Sequence, residues 1–288
     1  MKIIYIGSSN ALSIFPFQDL IASNQHEICA LAFDDDLNHH FNVIITNTIQ
    51  SLTINNSIPL IRLNKNFTSV LSQFKQLEPD IILVSCYARK LPLALLSIAT
   101  IGSFNIHPSL LPSYRGPTPL FWQFRDGVDD FGITIHRMDD EFDTGNIVSQ
   151  KKIKMPDGLS ILKATDLLAQ TASDLLLNTL NEIENQSFFE RDQKNLMSSY
   201  QSFPSHEDYS VSVLWTAKRI FNFIRAYKDK DLSFLCEIDG KNYMLIDALS
   251  YKKEPYNNMN GKTFQQEGEF VTFACKGSYL KCKIKTDD

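Results

Sequence analysis

The 288-residue sequence has no Cys-x-x-Cys pair: its five cysteines, Cys29, Cys86, Cys236, Cys275 and Cys282, are odd in number and widely spaced. That excludes a zinc-finger ligand set and a dithiol redox motif, and it reads as reduced core thiols of a cytoplasmic protein. An uninterrupted apolar run long enough for a membrane span is also missing. Residues 37–61 and 91–114 are free of Lys, Arg, Asp and Glu, but the first stretch is full of Asn, Thr and Ser, and Pro92, Asn105, His107, Pro108 and Pro112 break the second. The apolar run within Met1–Gly7 is too short for a secretory signal and reads as a buried first strand. Positive charge is not in excess. The 28 basic and 33 acidic side chains give a net charge of −5, a field that repels polyanions and argues against DNA binding. No Gly-x-Gly-x-x-Gly fingerprint, EF-hand spacing, internal repeat or low-complexity tract is present.

What is there is the composition of a globular protein with a substantial core, 43% hydrophobic and 11% aromatic. Short apolar runs alternate with helical-period segments: Lys2–Ile6, then Ala11–Ala22; Glu27–Phe33; Phe67–Leu77, then Asp80–Val84. That rhythm predicts an α/β, doubly wound (Rossmann-like) N-terminal domain with a parallel sheet covered on both faces. Its last helix is expected over Ser160–Gln186, where Leu162, Ala164, Leu167, Leu168, Ala172, Leu175, Leu176, Leu180 and Ile183 form a core-facing stripe. The polar stretch that follows reads as a linker, giving domains at 1–190 and 209–288 joined by 191–208. Charge changes along the chain as well: residues 1–200 carry 15 basic and 21 acidic groups, residues 215–288 carry 13 and 10. In the tail a helix is expected over Val213–Ala226, then strands at Phe234–Asp239, Asn242–Ala248, Phe270–Cys275 and Tyr279–Ile284. Tight turns at Asp239-Gly240 and Lys276-Gly277 would join them into a small antiparallel β-barrel.

Two segments suggest chemistry. Gly7, Ser8, Ser9 and Asn10 follow the first strand and open a helix, so their amides can cradle an anion or form a plain tight turn. More informative is Gly102–Gly116. Strand alternation points Asn105 and His107 to one face just before Pro108 ends the strand, at the carboxyl rim where open α/β sheets place ligands. Downstream, Gly132–Met138 alternates as a strand. The turn Asp139–Gly145 that follows is acidic, a solvated turn or a cation site, without calcium spacing. Pro119-Leu120-Phe121-Trp122 reads as buried aromatic packing or as the floor of an acceptor pocket, and Lys228–Asp231 as a solvated loop.

Asn105-Ile106-His107-Pro108-Ser109-Leu110-Leu111-Pro112 with Arg115-Gly116, Gly132-Ile133-Thr134-Ile135-His136, and Asp143-Thr144-Gly145-Asn146-Ile147 together resemble a specific signature. It is that of the 10-formyltetrahydrofolate-dependent formyltransferases, of the two-domain type similar to methionyl-tRNA formyltransferase. The match is looser beyond Ile153. The resemblance implies a catalytic trio of Asn105, His107 and Asp143, with no metal. It implies a folate wall over Leu83–Leu91, with Cys86, Tyr87, Ala88, Arg89, Leu91 and Asp139 contacting 10-formyltetrahydrofolate. It also implies acceptor contacts from Gly7, Ser8, Ser9, Asn10, Ser109, Arg115 and Gly116. Chemically, Asn105 and a protonated His107 would stabilise the oxyanion of formyl transfer, while Asp143 would hold His107 or a relay water and raise its pKa.

The acceptor is less clear from the residues. Family members that act on methionyl-tRNA carry a basic loop after the second strand, whereas residues 35–58 here contain no Lys or Arg. A small amine, such as a nucleotide-linked amino sugar or a hydroxyornithine-type amine, is therefore the expected partner, with initiator tRNA as the alternative. A hydrolase of formyltetrahydrofolate, or a folate- or nucleotide-binding module without catalysis, are the rivals; the latter requires the trio not to converge.

Overall fold

The computed structural model describes residues 1–8, 10–34, 51–63, 67–87, 89–193, 198–252 and 263–286. The chain divides into two compact units. The first comprises Met1–Pro117, Gly132–Ile153 and Thr165–Gln201, the second Thr118–Phe131, Lys154–Ala164 and Ser202–Asp288.

The first unit is built on a seven-stranded sheet of order β3-β2-β1-β4-β5-β6-β7. Its strands are β1 (Lys2–Gly7), β2 (Glu27–Asp34), β3 (Leu60–Leu63), β4 (Ile81–Ser85), β5 (Gly102–His107), β6 (Asp130–Arg137) and β7 (Ile147–Lys154). β1 lies between β2 and β4, parallel to both, and β4 is parallel to β5. Ile3, Ile4, Tyr5 and Ile6 are wholly buried, as are Ile81 and Ile82, because both faces of these strands are covered and no alternation is needed. The expectation of a parallel sheet is corrected at one place: β6 runs antiparallel to β5. That reversal sets Asn105 directly opposite His136, and opposed residues of an antiparallel pair project to the same face.

Helix α1 (Ala11–Ser23) starts where the Asn10 side chain accepts the Leu12 N–H and stops at Asn24 in the left-handed region. Next come α2 (Thr68–Leu77) and the one-turn α3 (Leu93–Leu96). Strand order changes direction between β1 and β4, so the carboxyl ends of β1, β4 and β5 open a crevice there. In α5 (Ile161–Glu184) the expected stripe is narrower than the periodicity suggested. Ala164, Leu168, Ala172, Leu176 and Leu180 are fully buried at four-residue spacing, whereas Leu162 and Leu167 are exposed.

In the second unit, α4 (Pro119–Asp126) begins with proline at its first turn and ends at Gly127, φ 68°. Phe121 of α4 packs edge-on against Trp122, Tyr209, Phe223 and Tyr227, so the Pro119–Trp122 motif is core of this unit. Helix α6 (Ala217–Tyr227) is capped by the Thr216 hydroxyl. The remaining strands are β8 (Ser210–Val211), β9 (Phe234–Ile238), β10 (Lys241–Lys252), β11 (Phe264–Glu267), β12 (Phe270–Cys275) and β13 (Ser278–Ile284), in the order β11-β12-β13-β10-β9-β8. The tail thus forms one six-stranded sheet, antiparallel except where the two-residue β8 runs parallel to β9. The β9–β10 hairpin turns on Asp239 and Gly240, at φ 49° and 75°, the two positive angles a tight hairpin requires. All five cysteines are free. Among the described residues no helix is long and apolar enough to cross a membrane.

Candidate active site

The site lies in the first unit and is organised around Asp143. β5 ends at His107, and the following loop bends through Tyr114, φ 61°, and Gly116, φ 109°. Asp143 itself sits at φ 57°, a left-handed conformation that aspartate tolerates better than most residues. Its Oδ2 accepts the Gly116 N–H at 2.8 Å and its Oδ1 the Asn105 Nδ2–H at 3.3 Å. Oδ1 is also 3.4 Å from His136 Nε2 and 3.6 Å from His107 Nδ1. Asn105, His107 and Asp143, distant in sequence, therefore converge.

Hydrogen-bond logic fixes the imidazole tautomers. His107 Nε2 faces the Tyr114 carbonyl at 2.8 Å, and His136 Nδ1 faces the Arg137 carbonyl at 2.8 Å. A carbonyl can only accept, so each of these nitrogens carries a proton, and His107 Nδ1 and His136 Nε2 are the nitrogens turned toward Asp143. The carboxylate in turn orients the Asn105 amide: it can only accept, so the amide presents Nδ2 to it, and the same nitrogen lies 3.2 Å from His136 Nε2.

Electrostatics follow from burial. His107 is 4% exposed, and desolvation lowers its pKa below the ordinary value despite the opposing pull of Asp143. The carboxylate does lift the His107 pKa, as expected, but burial outweighs it and the net shift is downward. Asp143 is held well below the usual carboxylate range. Burial opposes that shift, but His107, the His136 hydrogen bond and the Gly116 N–H together outweigh it.

A narrow cleft opens onto this cluster. Tyr87, Arg89, Leu91, Asn105, Asp139 and Asp143 line it together with His136, Val84 and Met138. Four of the six expected folate contacts are thus brought beside two of the trio, while His107 stands behind. Tyr87 Oη is shielded from solvent with no hydrogen-bond partner among the described residues, and burial with the nearby Asp34 carboxylate pushes its pKa up to about 12. Arg89 forms a 2.6 Å ion pair with Asp34 at the end of β2. Cys86 is not in the lining; its buried thiol is raised to about 12 by desolvation. Ala88 lies outside the described residues.

The expected acceptor contacts fare differently. Gly116 belongs to the cluster through its amide. Ser109 is fully buried and donates to the Ser113 carbonyl at 2.7 Å, so it shapes the loop and does not face a ligand. Arg115, 8% exposed, places Nε and Nη2 on Gln193 Oε1 at 3.1 and 2.7 Å. In the first turn, Gly7 and Ser8 are buried, the Ser8 N–H is taken by Ser13 Oγ, and Asn10 is the helix cap; this favours a tight strand-to-helix turn over an anion cradle. Ser9 lies outside the described residues. The acidic turn is tied internally, with Thr144 Oγ1 on Asp139 and Lys90 on Asp140. Among the described residues no His, Cys, Asp and Glu group is arranged to hold a metal.

Sequence reasoning missed His136, Gln193 and Ser199. The first was legible as a strand residue and as part of the signature but not as a member of the site, since that depends on the β5–β6 register; the other two lie in the stretch read as a linker.

The family model described as formyl transferase matches residues 1–180. A methionyl-tRNA formyltransferase of Ehrlichia ruminantium is 26% identical over 97% of this chain and 90% of its own length. One from Syntrophomonas wolfei is 31% identical over 78% of this chain and 72% of its own. Among solved structures, an N-formyltransferase of Helicobacter canadensis, in complex with folinic acid and dTDP-3-aminofucose, superposes with TM-score 0.71. It is 18% identical and aligned over 99% of this chain and 100% of its own. HypX of Aquifex aeolicus with tetrahydrofolic acid gives 0.60 at 18% identity, over 98% of this chain and 43% of its own.

Proposed function

This chain is an enzyme of the formyl transferase family, and from that membership we propose that it is an N-formyltransferase acting on a small acceptor. In this reading it moves the formyl group of 10-formyltetrahydrofolate to the primary amine of a nucleotide-linked amino sugar or a hydroxyornithine-type compound. The observation that carries the reading is the Asp143 carboxylate, held between two imidazoles and the Asn105 amide at the wall of a cleft. The cleft suits a folate. An apolar wall of Val84, Leu91 and Met138 beside the Tyr87 phenol and the polar Asn105 and Asp143 matches a flat heteroaromatic ring with hydrogen-bonding edges.

Attack of the amine on the formyl carbon of bound 10-formyltetrahydrofolate would form a C–N bond and place negative charge on oxygen and an excess proton on nitrogen; collapse would break the bond from that carbon to N10, and tetrahydrofolate would leave with the proton. Asn105 meets the first need. Its two contacts, 3.2 and 3.3 Å, are long enough to be exchanged for the formyl oxygen. His107 meets the second, taking the proton at Nδ1 directly or through one water shared with Asp143, which lines the cleft in front of it. Once charged, the imidazolium has the Tyr114 carbonyl on one side and the Asp143 carboxylate on the other.

A small acceptor is supported by the absence of Lys and Arg from residues 35–58 and by the end-to-end match to the Helicobacter enzyme solved with an amino-sugar nucleotide. Methionyl-tRNA is the second reading, favoured by relatives of that name over nearly the whole chain. The catalytic domain is taken as residues 1–190 and the tail 209–288 as a small barrel, with the first half of 191–208 contributing to the catalytic unit, in a cytoplasmic protein. The test is tetrahydrofolate release from 10-formyltetrahydrofolate with a panel of dTDP-linked amino sugars, hydroxyornithine and charged initiator tRNA. Turnover with an amino sugar or hydroxyornithine is expected; turnover with the tRNA alone overturns the acceptor assignment.

A further inference from the structure

Residues 191–193 and 198–201 lie along the rim of the active site. Arg191 exchanges both backbone bonds with Ile147 at 2.9 Å. Ser199 accepts the Arg115 N–H through its carbonyl and the Tyr114 N–H through its hydroxyl, at 2.9 and 2.8 Å. Gln201 donates to the Arg115 carbonyl at 2.9 Å. The approach is close enough that a Cβ on Gly116 would fall 2.1 Å from the Gln201 carbonyl oxygen.

Gln193 is the most heavily used side chain of this strap. Its Nε2 donates to the carbonyls of Asp143 and Gly145 at 2.8 and 2.7 Å, and its Oε1 accepts two bonds from the Arg115 guanidinium at 3.1 and 2.7 Å. A primary amide has two donor hydrogens and two acceptor lone pairs, and here all four are engaged. No other side chain of that length can do this: glutamate lacks the donors, and lysine and methionine lack both donor and acceptor on one planar end. What the amide grips is the left-handed turn of Asp143, a strained conformation that persists only when its surroundings over-determine it.

We infer that Gln193 is a positioning residue for formyl transfer: it fixes the Asp143 turn through the two carbonyls while Ser199, through Tyr114, fixes the acceptor of the His107 proton. The strap thereby sets both partners of the proton-handling pair without touching substrate. This rests on Asp143 and His107 being the working pair of the proposed reaction, whichever amine is the acceptor.

The test uses the full-length enzyme with Gln193→Met, Gln193→Glu and Ser199→Ala. Imidazole nitrogens are titrated by NMR, and transfer is measured with whichever acceptor of the panel turns over. In Gln193→Met the Asp143 carboxylate loosens, its lifting effect on His107 weakens, and the His107 titration moves to lower pH. kcat falls roughly 10- to 100-fold, the scale of a misplacement near 1 Å, with KM for the folate unchanged. Ser199→Ala moves His107 and leaves His136 in place. Gln193→Glu decides between roles. A mere tie between strap and Arg115 is strengthened by the added charge, so wild-type kcat with unmoved imidazoles overturns the proposal, whereas loss of kcat in both Gln193 variants sustains it. A Gln193→Met protein that does not fold leaves the Glu and Ala variants to decide. The NMR arm needs no acceptor, so failure of the amine assignment and failure of Gln193 are told apart: the first silences the kinetics only, the second leaves the imidazoles where they were.

Discussion

Asp143 remains an anion although its side chain is only 10% exposed, because a backbone N–H and an amide N–H donate to it and two imidazoles face it. Removing its charge while keeping its shape has a definite sign. Transfer requires neutral His107, so activity is lost as pH falls through the His107 pKa, which burial already sets below the usual histidine value. In Asp143→Asn the influence that raises this pKa is gone; the acid limb of the pH–rate profile moves to lower pH and kcat drops. An acid limb that stays in place would uncouple the two residues. His107→Ala is expected to cost at least about 100-fold in kcat, the usual scale for a positioned acid–base group, with an unchanged thermal midpoint. His136→Leu takes away the imidazole that faces both Asn105 and Asp143. A loss of about 5-fold in kcat is expected, corresponding to one hydrogen bond of about 1 kcal/mol, and wild-type kcat would remove His136 from the mechanism.

Strand ends and their turns carry the geometry at the next scale. Gly145 shows how little room they leave: a Cβ there would lie 2.0 Å from the Arg137 carbonyl oxygen, the same oxygen that fixes the His136 tautomer. Gly145→Ala is therefore expected to destabilise the protein by about 1–3 kcal/mol and to lower transfer beyond that loss; calorimetry and the transfer assay on the same preparation separate the two. Much at this scale was legible beforehand. β1, β2 and β4 stand within a residue or two of their apolar runs, since strands covered on both faces need no pattern but hydrophobicity, and the two-residue spacing of Asn105 and His107 correctly put them on one face. The antiparallel β6 was not legible, because its apolar alternation is the same in either direction, and with it went the role of His136. The short β3 and β11 carry too few residues for a periodic signal. Gln193, Ser199 and Gln201 escaped because their bonds run from backbone and side-chain polar groups to a loop, and contacts that form no ladder leave no rhythm to read.

At the scale of the whole molecule, net charge and its distribution bear on the acceptor. A chain of net charge −5 that bound tRNA would do so through local cations, and its acceptor KM would climb steeply with ionic strength as phosphate contacts release counterions. With a small acceptor, KM is expected to change less than about threefold between 50 and 200 mM salt, where several phosphate contacts would change it by orders of magnitude. The tail sheet, with Lys281 and Lys283 on β13, is where a basic contact would otherwise be sought, but Lys283 is already paired with Glu269. The most direct measurement follows the formyl group itself: 13C-formyl-labelled 10-formyltetrahydrofolate is offered to the enzyme in one mixture of dTDP-linked amino sugars, hydroxyornithine and charged initiator tRNA, and the label is located by NMR and mass spectrometry. The account predicts the label as an amide on a small amine; label confined to methionine on tRNA, or released as formate, would contradict it.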